Sequence, residues 1–442
     1  MMTRKEVLTG YDNRLADQQR VEMSGELDWL IVGGGIHGVH IAVRLLGESG
    51  ISPDRLRILD PCDQLLARWR TCAAKTGMTH LRSPGVHHIG LEPFALVHFA
   101  GQRKKRKRLK KRLFTSPFDR PALTLFNAHC DQVVEAFGLA KIHIQDRAEK
   151  CVVGRDGIDV QLSSGRGMAV QRLILAMGAG EQPEWPEWAP RDHDRIHHVF
   201  ESGFDDWPSS GEYVVVIGGG ISAVQVALRL TEKGHRVHIV SRHALRRHQF
   251  DSDPGWLGPK FMERFRRELD FNRRRVLIAQ ARHRGSVPPD VLRALRRAIV
   301  RDLIFWHEGD VETLCSRRNG VVLRLSNHQE LKAGRILLAT GFASKRPGGA
   351  MVDALIASAG LSCADCGYPI VDSALRWHPR IHVSGPLAEL ELGPASRNIA
   401  GARRAGDRLV ASLRTLEGSV VKKNRGSSFK TDISLLNKAV IQ

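Results

Sequence analysis

The stretch that most constrains this chain is residues 28–38, DWLIVGGGIHG. Four apolar residues end abruptly in three glycines, and Gly33, Gly35 and Gly38 fall in the spacing G-x-G-x-x-G. Apolar residues then recur at helical intervals (Val39, Ile41, Ala42, Leu45, Leu46). The pattern predicts strand, tight turn and helix. In such a unit one glycine makes the turn, one lets a pyrophosphate reach the backbone, and one lets helix pack on strand. The helix start offers unpaired N–H groups and a partial positive charge to phosphate. Residues 57–60 (RILD) read as the next strand, ending in Asp60, an acid placed to accept hydrogen bonds from a ribose. Together these features predict a dinucleotide site.

The scheme recurs. Residues 212–223 read EYVVVIGGGISA, with a strand at 213–217, Gly218, Gly220 and Ala223 as G-x-G-x-x-A, and a helix from 224 onward. Each half then shows short strands separated by turns and closes on an apolar strand ending in glycine: RLILAMG at 172–178 and RILLATG at 335–341. Gly33 corresponds to Gly218 and Gly178 to Gly341. A repeated architecture of this kind predicts two dinucleotide sites in one chain. The second site differs in one respect. Its second strand ends Val240-Ser241-Arg242, with no acid. An acid there repels a 2′-phosphate and an arginine pairs with it, so NADPH is expected in preference to NADH, with Ser241 and Arg242 at the site.

Bulk properties set the limits. The 442 residues allow two or three domains. No apolar run approaches the roughly 18–20 residues of a membrane span. The seven scattered cysteines and the absence of a secretory pattern at the start predict a reduced, cytoplasmic protein. The net charge of +20 is concentrated locally: nine positive charges lie in residues 103–112 (RKKRKRLKKR), and residues 264–301 hold twelve arginines against three acids. The first run reads either as a solvated loop or as a handle for an acidic partner or anionic surface. No aromatic residue interleaves it, which argues against nucleic acid. Arginine-rich helices expected at 261–275 and 291–299 read as solvated faces. Cys363 and Cys366 form a lone C-x-x-C pair, and no metal is expected there.

Two glycine-rich sites in this order resemble the two-dinucleotide-binding flavoproteins, over about residues 26–415. The resemblance implies an α/β fold in which an FAD-binding Rossmann-like domain is split in sequence by an inserted NAD(P)-binding Rossmann-like domain. The expected division is a lead-in at 1–25, the FAD-binding domain at 26–190 and 342–415, the NAD(P)-binding domain at 191–341 with an insertion at 243–300, and a tail at 416–442. Details are similar to the class B flavin monooxygenases, which include flavin-containing monooxygenases, Baeyer–Villiger enzymes and lysine/ornithine N-hydroxylases. RILLATGF matches that group's A-T-G strand, and Asp60 followed by Trp69 resembles its acid-then-G-G-x-W segment, with Leu66-Ala67 in place of the glycines. The resemblance places Trp69 and residues 76–84 along the isoalloxazine. Arg82 is either a neutraliser of phosphate or flavin charge or a plain surface residue. A helix over 395–414, capped by Ser396, would aim its positive end at the flavin. Histidines 197 and 198 are candidates by position only, and no catalytic side chain is assigned.

The implied activity is FAD-dependent and NADPH-using: hydride passes to the flavin, O2 reacts to give a C4a-(hydro)peroxyflavin, and one oxygen goes to a small N-, S- or carbonyl-containing substrate. One alternative is an NAD(P)H-flavin reductase or oxidase passing electrons to a quinone or protein carrier. Another is a flavin-bound scaffold using its basic surface. Disulfide reduction is disfavoured by cysteine spacing, because Cys62 and Cys72 fit neither C-x-x-C nor C-x-x-x-x-C.

Overall fold

The computed structural model describes residues 27–102 and 113–421, without the side chains of 415–421. The lead-in, the basic run at 103–112 and the end of the tail lie outside the described residues.

The chain opens with strand β1 (Leu27–Val32), helix α1 (Ile36–Glu48), strand β2 (Leu56–Asp60), helices α2 (Ala67–Thr76) and α3 (Leu123–Ala136), and strand β3 (His143–Gln145). β4 (Ala148–Val153), β5 (Ile158–Leu162) and β6 (Gly167–Leu175) form an antiparallel meander. β6 then runs parallel to β1, pairing Val32 with Leu175, while β2 pairs Leu59 with Val32 on the other side. β1 is apolar along most of its length because both its faces are covered, one by helices including α1, the other by the meander and a later helix, residues 349–359. Leu30, Ile31 and Trp29 are fully buried in it. Fully burying one such side chain stabilises the fold by roughly 1.5–3 kcal/mol.

The unit repeats after a linker. β7 (Ile196–His198), β8 (Val214–Ile217), α4 (Ile221–Glu232) and β9 (Val237–Ser241) lead into the insertion. This holds α5 (Pro259–Arg267), α6 (Phe271–Ala281) and α7 (Pro289–Val300). β10 (Ile304–Glu308) follows, then the three-stranded meander β11 (Val311–Arg317), β12 (Gly320–Leu325) and β13 (Glu330–Ala333), and finally β14 (Arg335–Leu338). The second sheet runs β10-β9-β8-β14-β7 and is parallel throughout. After α8 (Gly349–Ala359) and β15 (Arg376–His378), β16 (Ile381–Val383) returns to the first sheet and pairs with β6. The last helix, α9 (Ile399–Val421), packs on α1.

Three expectations need correction. The helix expected over 261–275 is two helices, because Asp270 caps a new start by accepting from the amides of Asn272 and Arg273. The strand β13 was not foreseen. The last helix begins at Ile399 and runs past Arg414 to Val421, so Ser396 is not its cap. Ser396 lies in a 3-10 turn, fully buried, and its hydroxyl donates to the carbonyl of Gly385 at 2.5 Å. Among the described residues no helix is long and apolar enough to cross a membrane.

Candidate functional site

The two glycine turns are backbone copies of one another. Gly33 N–H donates to the Leu59 carbonyl and Gly218 N–H to that of Val240, both at 2.8 Å. Gly33 (φ +112°) and Gly218 (φ +141°) are left-handed, and a Cβ on either would lie within 3 Å of a neighbouring carbonyl oxygen, Ala176 or Ala339. No other residue type fits there. The third positions differ. A Cβ on Gly38 would fall 1.8 Å from the Gly33 carbonyl oxygen, whereas the second turn accommodates Ala223.

At the first turn the way to the backbone is open. Nothing lies within 4 Å of where a Cβ on Gly35 would stand, and no side chain caps α1. Its first-turn amides have no intrahelical acceptors. Asp60 stands on the rim: one carboxylate oxygen accepts from Gly34 N–H at 2.6 Å and the other from Cys62 N–H at 2.9 Å. Each retains lone-pair capacity for a hydroxyl. α2 starts against the same loop, where Leu66 N–H donates to the Gly34 carbonyl. Leu66 takes a glycine-like left-handed backbone (φ 65°), at a cost of about 1 kcal/mol. Its side chain is buried, which offsets this. Trp69, one turn on, stacks edge-on against Phe126, and its indole N–H is buried without a partner. An open helix start, a rim carboxylate and an orphaned buried donor fit an FAD. Gly178 follows β6 with no atom nearer than 3.9 Å to a Cβ placed on it, and Gly341 (φ +89°) has open space.

The second turn is covered. The nearest atoms to a Cβ on Gly220 are the backbone of Gly285, from 3.4 Å. The turn at 283–286 therefore stands where the open first cradle has nothing. It is held by pairing of Arg246 and Arg247 with Ser286 and Val287, and by packing of His243 against Gly285 and Gly219. Ser241 is the register counterpart of Asp60, and its hydroxyl donates to the His243 carbonyl at 2.8 Å. Arg242 is 82% exposed, with Asp310 at 3.9 Å as its nearest ionic partner.

Arg82 is half-buried and turned toward the insertion. Its guanidinium donates to the carbonyls of Gln249 and His248 and to the Ser286 hydroxyl, at 2.8–2.9 Å. It bolts the covering turn to the first domain. His198 Nε2 lies 3.0 Å from Thr340 Oγ1, tying the edge strand β7 to the A-T-G turn, and burial pushes its pKa down to about 4. The linker continues this tie through Glu184 N–H, which donates to the Gly341 carbonyl.

Several residues escaped sequence reasoning. Arg68 donates to the carbonyls of Gly180 and Phe200, and Arg229 of α4 to those of Ala74 and Lys75, so α2 locks the two sheets together. His37 lies inside the first fingerprint, buried, with Nδ1 2.8 Å from Ser384 Oγ, and burial pushes its pKa down to about 4. The arginine-rich helices do present solvated faces, with Arg273, Arg293, Arg296 and Arg297 exposed, but Arg274 of α6 is buried and donates to the carbonyls of Glu268, Leu390 and Arg266. Nothing in the spacing marks Arg274 as buried. Its partner Leu390 lies more than a hundred residues away.

The chain is similar to known proteins in the following ways. Residues 30–180 match the FAD-NAD(P)-binding family and residues 119–283 the pyridine nucleotide-disulphide oxidoreductase family. No curated protein sequence matches it. Among solved structures it resembles an ornithine N-hydroxylase from Kutzneria sp. 744, determined with reduced FAD, NADP+ and L-ornithine (TM-score 0.71, 15% identity, 89% of this chain and 100% of that one). It also resembles L-lysine 6-monooxygenase from Pseudomonas syringae (0.65, 17%, 88% and 99%). A third likeness is to a bacillithiol disulfide reductase from Bacillus cereus (0.58, 16%, 89% and 100%).

Proposed function

Starting from a two-dinucleotide-binding flavoprotein fold, with the matches to FAD- and NAD(P)-binding oxidoreductases, we propose that this protein is an FAD- and NADPH-dependent monooxygenase. Its substrate is a small molecule carrying a nucleophilic nitrogen, sulfur or a carbonyl. The observation that carries the reading is the pair of register-matched glycine turns, one rimmed by Asp60 and the other by Ser241 and the exposed Arg242. Bound FAD supplies hydride acceptance and O2 chemistry. The chain supplies the rest. Asp60 holds a ribose at the first turn, and the start of α1 neutralises pyrophosphate. Arg242 selects a 2′-phosphate. The α2 lock fixes the two sheets against each other and so fixes the approach of one coenzyme to the other. The second site is ready only when the turn at 283–286 stands aside from Gly220.

The likeness to the bacillithiol disulfide reductase supports a second reading, a reductase passing electrons onward. Its thiol-based form is disfavoured, because burial and the neighbouring Asp60 push the Cys62 thiol up to about 11, and burial raises Cys72 as well. Thiols so placed are poor nucleophiles. The test is an oxygen balance. Candidate substrates should stimulate NADPH oxidation and recover 18O from 18O2 in product. Stimulated NADPH oxidation with all oxygen found as hydrogen peroxide or water would replace this reading with the reductase.

A further inference from the structure

Beside the turn at 283–286 lies a small, half-open cavity lined by Arg275, Arg282, Arg284, Arg397 and Glu389, with two apolar positions of α6. Glu389 is fully buried and carries the only carboxylate in the lining. Arg397 grips it with Nε and Nη2 at 2.7 and 3.0 Å, Arg275 pairs with it, and Arg282 Nη2 stands 3.7 Å away. Arg284 is exposed, so the buried set is Arg275, Arg282 and Arg397 against Glu389, an excess of two positive charges. Counting Asp251, which acts on Arg282 from farther off, the buried excess is one.

The cluster is not internally satisfied. The Arg282 Nε is buried with no hydrogen-bond partner, although its Nη2 donates to the Pro394 carbonyl at 2.9 Å. Burial and the charge of Arg397 pull Arg282 down to about 10, so like charges crowd here at a cost an anion would relieve. Structural ion-pair networks approach neutrality, because an uncompensated buried charge is destabilising. This one does not.

Its position is what gives the cavity meaning. Arg284 is the residue before Gly285, which covers the second turn. On the other side Arg282 holds Pro394. Ser396 of the same 3-10 turn donates to Gly385, and a Cβ on Gly385 would lie 3.7 Å from the His37 ring in the first turn's helix. The arginines are therefore linked by direct contacts to the covering turn on one side and to the first turn's helix on the other.

We infer that this arginine cavity binds the anionic group of the substrate, a carboxylate or phosphate, which rests on the oxidoreductase reading above. The excess positive charge disfavours a second cationic amine in the same cavity. The substrate is accordingly a small mono- or dianion rather than a diamine-like cation. Arg282 and Arg284 are the specificity residues, since a planar guanidinium pairs with two anion oxygens at once.

The test is calorimetric titration of the FAD-loaded full-length protein with malonate and with inorganic phosphate, and with neutral malonamide as control. Neither NADPH nor O2 is present, so failure here is separate from failure of the redox reading. Saturable binding of malonate or phosphate, with none of malonamide, is expected, and the tighter probe assigns the anion class. Arg284→Gln should weaken binding roughly tenfold, with partial recovery in Arg284→Lys. Arg282→Gln should weaken it further, with the flavin spectrum unchanged. Absence of saturable heat, binding indifferent to both arginines, or complete displacement of the probe by NADP+ would overturn the inference. The last outcome would assign the cluster to the coenzyme.

Discussion

The two glycine turns share strand register, left-handed first glycines and the same amide-to-carbonyl bond, yet one is open and the other closed. The difference does not come from the turns. It comes from what the chain does after the second strand. After β2 the chain enters α2, which starts beside the turn and leaves Gly35 clear. After β9 it enters an insertion that returns at 283–286 and rests Gly285 on Gly220. A fingerprint thus specifies a cradle, while the following connection decides whether the cradle is accessible.

The comparison can be broken most forcefully at its third positions. Gly38→Ala should destabilise the protein by about 3 kcal/mol and abolish retained flavin, because its Cβ meets the Gly33 carbonyl at 1.8 Å. Ala223→Gly at the matching site should cost only about 1 kcal/mol, through helix propensity. Melting curves and flavin content check both. Equal effects would mean the two turns are not built differently.

Acid should distinguish the halves next. Around the first sheet, burial pushes His37 and His382 down to about 4 and His40 and His88 down to about 3. Around the second sheet only His198 falls as far, to about 4. These imidazoles are neutral when folded and bind protons more readily when unfolded. Their contribution is whole above pH 6.5 and is lost as pH falls through the folded values, up to about 3 kcal/mol for His37 alone. Hydrogen exchange at pH 5 should therefore show the first sheet losing protection before the second. Parallel loss would contradict the assignment.

Smaller effects concern the second turn. Arg242→Ala should raise the KM for NADPH about tenfold and leave that for NADH nearly unchanged. An equal rise for both would remove Arg242 from the 2′-phosphate. Arg82→Gln loosens the bolt on the covering turn and should tighten NADP+ binding, by roughly threefold for about 0.7 kcal/mol of lost hydrogen bonding. Unchanged affinity would mean the turn opens independently of that arginine.

Much of this was legible in the sequence. Both strand–turn–helix units, the correspondence of Gly33 with Gly218, and the contrast between Asp60 and its register counterpart Ser241 are local patterns. Local patterns are what periodicity and turn chemistry record. What was missed depends on distant partners. Ser396 reads as a helix cap until its hydroxyl is seen to be taken by Gly385. Arg82 reads as a charge neutraliser or a surface residue, and its bonds to the carbonyls at 248 and 249 show only when the insertion has folded back. Arg273 of α6 is solvent-facing as its sequence suggests, but Arg274 and Arg275 turn inward, and nothing near them in sequence reveals Glu389, more than a hundred residues on. Charge shows from sequence alone, but burial of charge shows only when the chain has closed on itself.

The central claim is that the two turns bring a flavin and a nicotinamide coenzyme into electronic contact. It is tested most directly by an anaerobic NADPH titration of the purified protein, followed in the visible spectrum. The account predicts a yellow protein with one flavin per chain, bleached by one equivalent of NADPH and recoloured in air. A colourless protein, or a flavin band that NADPH leaves untouched, would contradict it.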